Sequence, residues 1–144
     1  MYIVGAILLS GVAACFDVYT RKIPNWLTLG GLLILWGFLI WEQGVGSVIW
    51  PHVMSLAMGC VVGVGFFYLG FMGGGDGKLL MLVSSSVPFD RWLYLMLCIA
   101  LAGGVQALLV LIFNQKRTTH KIPYGVAIFV GTLVYFAWVD WYFF

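Results

Sequence analysis

Long apolar segments, interrupted only by short polar turns, run through the whole chain and constrain its fold more than any other feature. Of the 144 residues 63% are hydrophobic and 8% are charged, whereas a soluble domain carries about 25% charged residues. This excludes a water-soluble globular fold and a disordered chain. The net charge is only +2, without a basic stripe, so we expect no nucleic-acid partner. The sequence predicts an all-α, polytopic protein embedded in a lipid bilayer.

Charged residues and Gly/Pro clusters divide the chain into six apolar spans. A spanning helix needs about 20 residues, so a chain of this length has room for about six of them. We expect a single integral-membrane domain over 1–144, with no N-terminal extension and with a first span that is retained rather than cleaved. The six predicted transmembrane helices cover approximately 2–19 and 26–41, a third that residues 46–51 lead into and that ends near 72, and then 79–88, 92–113 and 122–141. The fourth is short for a core about 30 Å thick, and a half-crossing segment is the alternative there.

Basic residues fall on alternate loops of this arrangement. With six crossings both termini share one side, and the first, third and fifth loops share the other. Those three loops hold all the basic residues but one, namely Arg21, Lys22, Lys78, Lys116, Arg117 and Lys121. The positive-inside rule then places the three loops in the cytoplasm and both termini outside. We therefore expect a multi-pass protein of the inner (cytoplasmic) membrane.

Two acidic residues, Asp17 and Asp76, are expected at the cytoplasmic ends of different spans. Two carboxyls that lie close together do not both ionise easily, so they share a proton. One can then act as general base on a water while the other, protonated, polarises a carbonyl and protonates the leaving amine. The alternative is that each aspartate forms a separate ion pair with a nearby lysine or arginine. The other acids are expected as solvated charges near the outer side.

Three consecutive glycines, Gly73, Gly74 and Gly75, precede Asp76. Residues without a Cβ allow unusual backbone angles and the close approach of another chain, such as an extended peptide. A flexible loop or tight helix packing through small residues is the alternative interpretation. The spacing of a phosphate-binding loop is absent.

Three short motifs resemble those of the type IV prepilin leader peptidases, which are intramembrane aspartic proteases of the G-x-G-D type. The segment from Asp17 to Asn25 is similar to their D-x-x-x-[RK]-x-I-P-N segment, and Gly73–Lys78 fits G-x-G-D with a trailing lysine. Lys121–Gly125 resembles the basic-Ile-Pro-aromatic-Gly stretch that opens their last span. The three motifs occur in order, at the predicted cytoplasmic ends of spans one, four and six.

The resemblance implies a function and a set of site residues. Asp17 and Asp76 match the two catalytic aspartates. Supporting motif positions are Gly73, Gly75, Lys78, Pro24, Asn25 and Pro123. The implied activity is removal of the short basic leader of pilin-like or pseudopilin precursors, on the cytoplasmic side, after a glycine or similar small residue. The implied chemistry needs no cofactor and no metal. His-Glu-x-x-His is absent, and His52 and His120 are expected in loops on opposite sides.

The chain departs from the pattern of some family members, and these departures indicate which members it resembles. Long, bifunctional members carry an N-terminal extension with C-x-x-C pairs that is linked to methylation. Here Cys15, Cys60 and Cys98 form no such pair, and we expect them as buried small hydrophobes. The resemblance is thus to the short, peptidase-only form found with tight-adherence (Flp-type) pili, although archaeal preflagellin peptidases are also short. From the residues alone, a small membrane scaffold or transporter subunit is the alternative, with both aspartates as ion-pair or proton-relay residues.

Overall fold

The computed structural model describes residues 2–20, 23–113 and 124–139, and these are almost entirely helical. The helices are α1 (Tyr2–Thr20), α2 (Asn25–Gln43), α3 (Val45–Tyr68), α4 (Gly74–Ser84), α5 (Phe89–Phe113) and α6 (Tyr124–Val134). A π-helical segment, Tyr135–Val139, continues α6. The predicted all-α architecture is confirmed for this part of the chain.

Four of these helices are long and apolar enough to cross a membrane: α1, α2, α3 and most of α5. The apolar stretch Tyr124–Trp138 is shorter. Helix α4 has 11 residues, which at about 1.5 Å per residue is roughly half of a hydrocarbon core. The structure therefore supports a membrane protein with four candidate spans, and the six predicted crossings stay a prediction.

Two element boundaries differ from the sequence-based ones. Helix α3 ends at Tyr68 rather than near Met72, because the chain turns at Gly70, which has a φ of +76°. Helix α4 begins at Gly74, five residues before the expected start at Leu79. Glycine has a low intrinsic helix propensity, and this is why the sequence pattern indicated a loop there.

Glycines bring α4 close to α3. A Cβ added at Gly63 would lie 2.8 Å from the carbonyl oxygen of Gly77, and one added at Gly59 would meet the side chain of Ser84. Small residues at such a contact allow two backbones to approach closely, as in membrane helix pairs. The short helix is thereby fixed along α3, and the residues at its N-terminus acquire a defined position.

The remaining helices pack around α6. Helices α1 and α5 both lie against it, and α1 also contacts α2. The inner faces contribute apolar side chains such as Leu35, Leu95 and Ile128, all fully buried. The opposite face of α5 presents large apolar side chains outward, as expected for a surface that contacts lipid.

Two expectations about single residue types are wrong. Cys15 and Cys60 are exposed at the surface of the bundle, and Cys98 is half-buried, because each lies on a helix face turned partly away from the core. His52 lies within α3 rather than in a loop. It is buried, and its Nδ1 is 2.8 Å from the carbonyl oxygen of Ser85.

Candidate active site

Asp17 lies in the last turn of α1 and is only 7% exposed. Its Oδ2 accepts a hydrogen bond of 2.9 Å from the N–H of Gly125, in the first turn of α6. The first N–H groups of a helix have no partner within that helix. Asp17 therefore caps α6 from a different helix, which joins the ends of α1 and α6.

Asp76 lies in the first turn of α4 and is likewise 7% exposed. Its Oδ2 accepts a hydrogen bond of 3.2 Å from the N–H of Gly73, the residue that precedes the helix. Within the described residues, its buried Oδ1 has no hydrogen-bond partner. A buried carboxyl oxygen without a donor favours the protonated acid, because ionisation there would leave a charge unsolvated.

The charge of Asp17 acts on the carboxyl of Asp76. Asp76 lies at the N-terminal end of α4, outside the four helices that are long enough to cross a membrane. Burial raises its pKa from 3.8 to about 6, the negative charge of Asp17 contributes to the rise, and the N–H of Gly73 opposes it. The structure therefore places Asp17 and Asp76 at one end of the bundle, on two different helices.

The glycines before Asp76 act through close packing. A Cβ at Gly75 would lie 3.1 Å from Cβ of Ile23, and a Cβ at Gly73 would lie 3.1 Å from Oδ2 of Asp76. None of the three has a positive φ; among the described residues only Gly44 and Gly70 do. The contacts agree with the alternative interpretation, tight packing through small residues, and the close approach of a peptide stays a prediction.

The segment between α1 and α2 is tied to α4. Lys78 donates a hydrogen bond of 2.6 Å from Nζ to Oδ1 of Asn25. Pro24 directly precedes α2, and its carbonyl oxygen accepts a bond of 3.1 Å from the N–H of Leu27. Ile23 is buried against Gly75. The matched positions of the first two motifs therefore contact each other.

Several residues that the sequence analysis names lie outside the described residues, and one of them, Pro123, belongs to the predicted site. This applies to Pro123 of the third motif, to His120, and to the basic residues Arg21, Lys22, Lys116, Arg117 and Lys121. Of the basic residues expected in cytoplasmic loops, Lys78 is the one that the structure describes, and it contacts Asn25.

A cavity of about 360 Å³ lies at the other end of the bundle. It is lined by the start of α1, the end of α2, the α4–α5 connection and the π-helical segment. None of the predicted site residues lines it. The carboxyl pair is identified by its hydrogen bonds and burial.

Sequence reasoning missed two residues that shape the site, Gly125 and Ile23. Both belong to motifs that the sequence shows, but Gly125 acts through its backbone N–H and Ile23 through an apolar contact. No side-chain chemistry marks either residue in advance. The one available signal for Gly125 was a glycine at the start of a helix that follows a proline.

These features define a helical membrane protein with two buried, interacting carboxyls at one end of its bundle. The model of the type IV leader peptidase family matches residues 3–108, which is more than half of the chain. The chain belongs to this family and is a protease of the leader-peptidase kind. The matched region contains Asp17 and Asp76, whereas the third motif lies beyond it. No curated protein and no solved structure matches the chain.

Proposed function

We propose that this protein is an intramembrane aspartic endopeptidase whose catalytic residues are Asp17 and Asp76. The observation that carries the proposal is the pair itself. Two helices that are far apart in sequence each place a carboxyl, 7% exposed, at the same end of the bundle, and the charge of one acts on the other. A pair in that state holds one shared proton over part of the pH range, as general acid–base catalysis requires.

The reaction follows from one ionised and one protonated carboxyl. The ionised carboxylate takes a proton from water while the water oxygen attacks the peptide carbonyl carbon, and the other carboxyl gives its proton to the carbonyl oxygen. The resulting tetrahedral diol collapses when the C–N bond breaks. The amine nitrogen then takes the proton from the first carboxyl, and one diol hydroxyl returns its proton to the second. Both carboxyls regain their starting states.

The proposed substrate is a type IV pilin-like precursor of the Flp or tight-adherence kind, or a related pseudopilin. Family membership supports this substrate class. Cleavage after a glycine or other small residue would suit the site, because Gly73 is exposed beside Asp76 and has no side chain to hold a peptide backbone away. The basic leader would remain on the cytoplasmic side, where such leaders begin.

The proposed setting is the inner membrane, with residues 1–144 as one integral-membrane domain. Six crossings, with the fourth beginning at Leu79, would put Asp17 and Asp76 at the cytoplasmic face and both termini outside. The basic residues at Lys78 and in the neighbouring loops support this orientation.

The test is cleavage of a prepilin by the purified protein in detergent. Asp17→Asn and Asp76→Asn preserve shape but remove the proton chemistry, so each is expected to lose activity about a thousandfold or more. The double variant should be little worse, because the two residues act as one unit. Asp90→Asn is the matched control, since its side chain is 73% exposed on α5, far from the pair.

Chelation provides a second arm of the same experiment. Because two side chains supply both the base and the acid, EDTA should leave cleavage intact. Full cleavage by Asp76→Asn would overturn the dyad, whereas absence of cleavage by the wild type would favour the scaffold or transporter interpretation. Loss of cleavage in EDTA that zinc restores would overturn it in favour of a metal mechanism.

A further inference from the structure

The two carboxyls of the proposed dyad have different hydrogen-bond environments. Oδ2 of Asp17 accepts from the N–H of Gly125 across 108 residues of sequence, and this bond is buried. Asp76 accepts only from its own helix start, at Gly73, and its Oδ1 is buried without a donor in the described part of the chain. The site is therefore asymmetric before any substrate is present.

The contact at Gly125 depends on the absence of a side chain. A Cβ built on Gly125 would lie 2.9 Å from both Cβ and Oδ2 of Asp17, which is closer than non-bonded carbon and oxygen atoms pack. Any other residue at position 125 would push Asp17 or α6 away. The glycine thus lets the start of α6 come close enough for its N–H to reach the carboxyl.

The hydrogen bond from Gly125 also occupies one of the two carboxyl oxygens of Asp17. An N–H can only donate, so Oδ2 of Asp17 serves as an acceptor. Because Oδ2 already accepts from Gly125, the proton of water is assigned to the other oxygen of Asp17, Oδ1. At Asp76, the unpartnered Oδ1 suits a carboxyl that carries the shared proton.

We propose that Gly125 is a positioning residue that holds Asp17 as the general base of the dyad and thereby assigns the acid role to Asp76. This inference rests on the proposed function. In the reaction above, Asp17 is then the carboxylate that takes the proton of water and passes it to the amine. Asp76 is the carboxyl that protonates the carbonyl oxygen.

The first test compares three glycine-to-alanine variants with a prepilin substrate. Gly125→Ala should lower kcat by about a hundredfold, as expected for a displaced catalytic group, and should leave KM nearly unchanged. Gly131→Ala, on the same helix, would place a Cβ 2.4 Å from Cα of Ile99. It should lower thermal stability but not kcat per folded molecule. At Gly104 an added Cβ would meet nothing within 4 Å, so Gly104→Ala should change neither thermal stability nor kcat.

A second measurement leaves position 125 unchanged. Tyr124–Gly125 is the one Tyr-Gly pair in the sequence, so ¹³C-carbonyl tyrosine with ¹⁵N-glycine selects a single amide by NMR in detergent micelles. An amide that donates to a carboxylate should shift clearly in Asp17→Asn. The amide of Gly37, which is selected by the single Trp-Gly pair and lies within α2, should stay in place.

The outcomes separate the two proposals. If Asp17→Asn still cleaves prepilin, the proposed function fails. If Asp17→Asn is inactive but Gly125→Ala keeps its kcat, the positioning role alone is wrong. If Gly125→Ala does not fold, an unmoved Gly125 amide in Asp17→Asn would overturn the inference, and a shifted amide would support it.

Discussion

Lys78 and Asn25 are joined by a 2.6 Å hydrogen bond from Nζ to Oδ1, although 53 residues separate them in sequence. Lys78 lies two positions after Asp76 on α4, and Asn25 begins α2. The bond therefore connects the helix that carries one proposed catalytic carboxyl to the segment that follows the other. Lys78 is the lysine that trails the G-x-G-D motif. The structure gives it this structural contact.

Removing this bond should weaken the site without unfolding the protein. Both side chains are exposed, so a hydrogen bond between them is worth about 1 kcal/mol. Lys78→Met and Asn25→Ala should each lower kcat/KM by roughly fivefold, because about 1.4 kcal/mol corresponds to tenfold.

The double variant serves as the control for that prediction. If the two residues act through one bond, Lys78→Met with Asn25→Ala should be no worse than the stronger single change. Effects that multiply would show that the residues act independently, and the tie between α4 and α2 would then carry no catalytic consequence.

Gly74 and Gly75, adjacent in the second motif, should respond differently to substitution by alanine. A Cβ at Gly75 would lie 3.1 Å from Cβ and 3.2 Å from N of Ile23, whereas a Cβ at Gly74 would meet Phe67 at an ordinary 3.5 Å. We expect Gly75→Ala to displace the segment before α2 and to lower cleavage at least about tenfold.

Gly74→Ala is the matched control, since both residues are helical. Alanine stabilises a helix by about 0.5–1 kcal/mol relative to glycine, so this variant should melt at an equal or higher temperature with its activity retained. Equal losses of cleavage in both variants would contradict the role assigned to the contact between Gly75 and Ile23.

The sequence could predict the membrane class, most helices and the placement of Asp17 and Asp76 at one end of the bundle. Apolar runs and charge placement follow directly from lipid burial, and a carboxyl next to an apolar span is conspicuous. The start of α4 was missed because the glycine run lowers helix propensity, while contacts such as Gly63 with Gly77 stabilise the helix there. Such contacts depend on which helices become neighbours.

The role of Gly125 was hidden for a different reason. Every residue except proline has a backbone N–H, so the sequence does not indicate which of these N–H groups donates to a carboxyl. That information appears only when α1 and α6 are placed side by side. The same holds for Ile23, whose apolar character is consistent with many packing sites.

The orientation in the membrane has its own test. We expect the end of α1 to face the cytoplasm and the end of α2 to face outward, because the basic residues belong to the first, third and fifth loops. In a background with the native cysteines replaced by alanine, Gln43→Cys should react with an impermeant maleimide added to intact cells. Thr20→Cys and Lys116→Cys should react only after permeabilisation. Strong labelling of Lys116→Cys from outside would contradict six crossings.

Activity and stability should both depend on the protonation of Asp76. Since its pKa is about 6, kcat/KM should fall as the pH rises through 6, because the pair then loses its shared proton.

The folded protein also binds the proton of Asp76 more tightly than the unfolded chain, in which the pKa of Asp76 is near 3.8. The resulting stabilisation is full below pH 3.8 and is lost as the pH rises through about 6. Melting temperatures measured across this window should fall with pH in the wild type and less in Asp76→Asn, which cannot titrate at this position. Parallel curves for the two proteins would show that another group dominates the pH dependence.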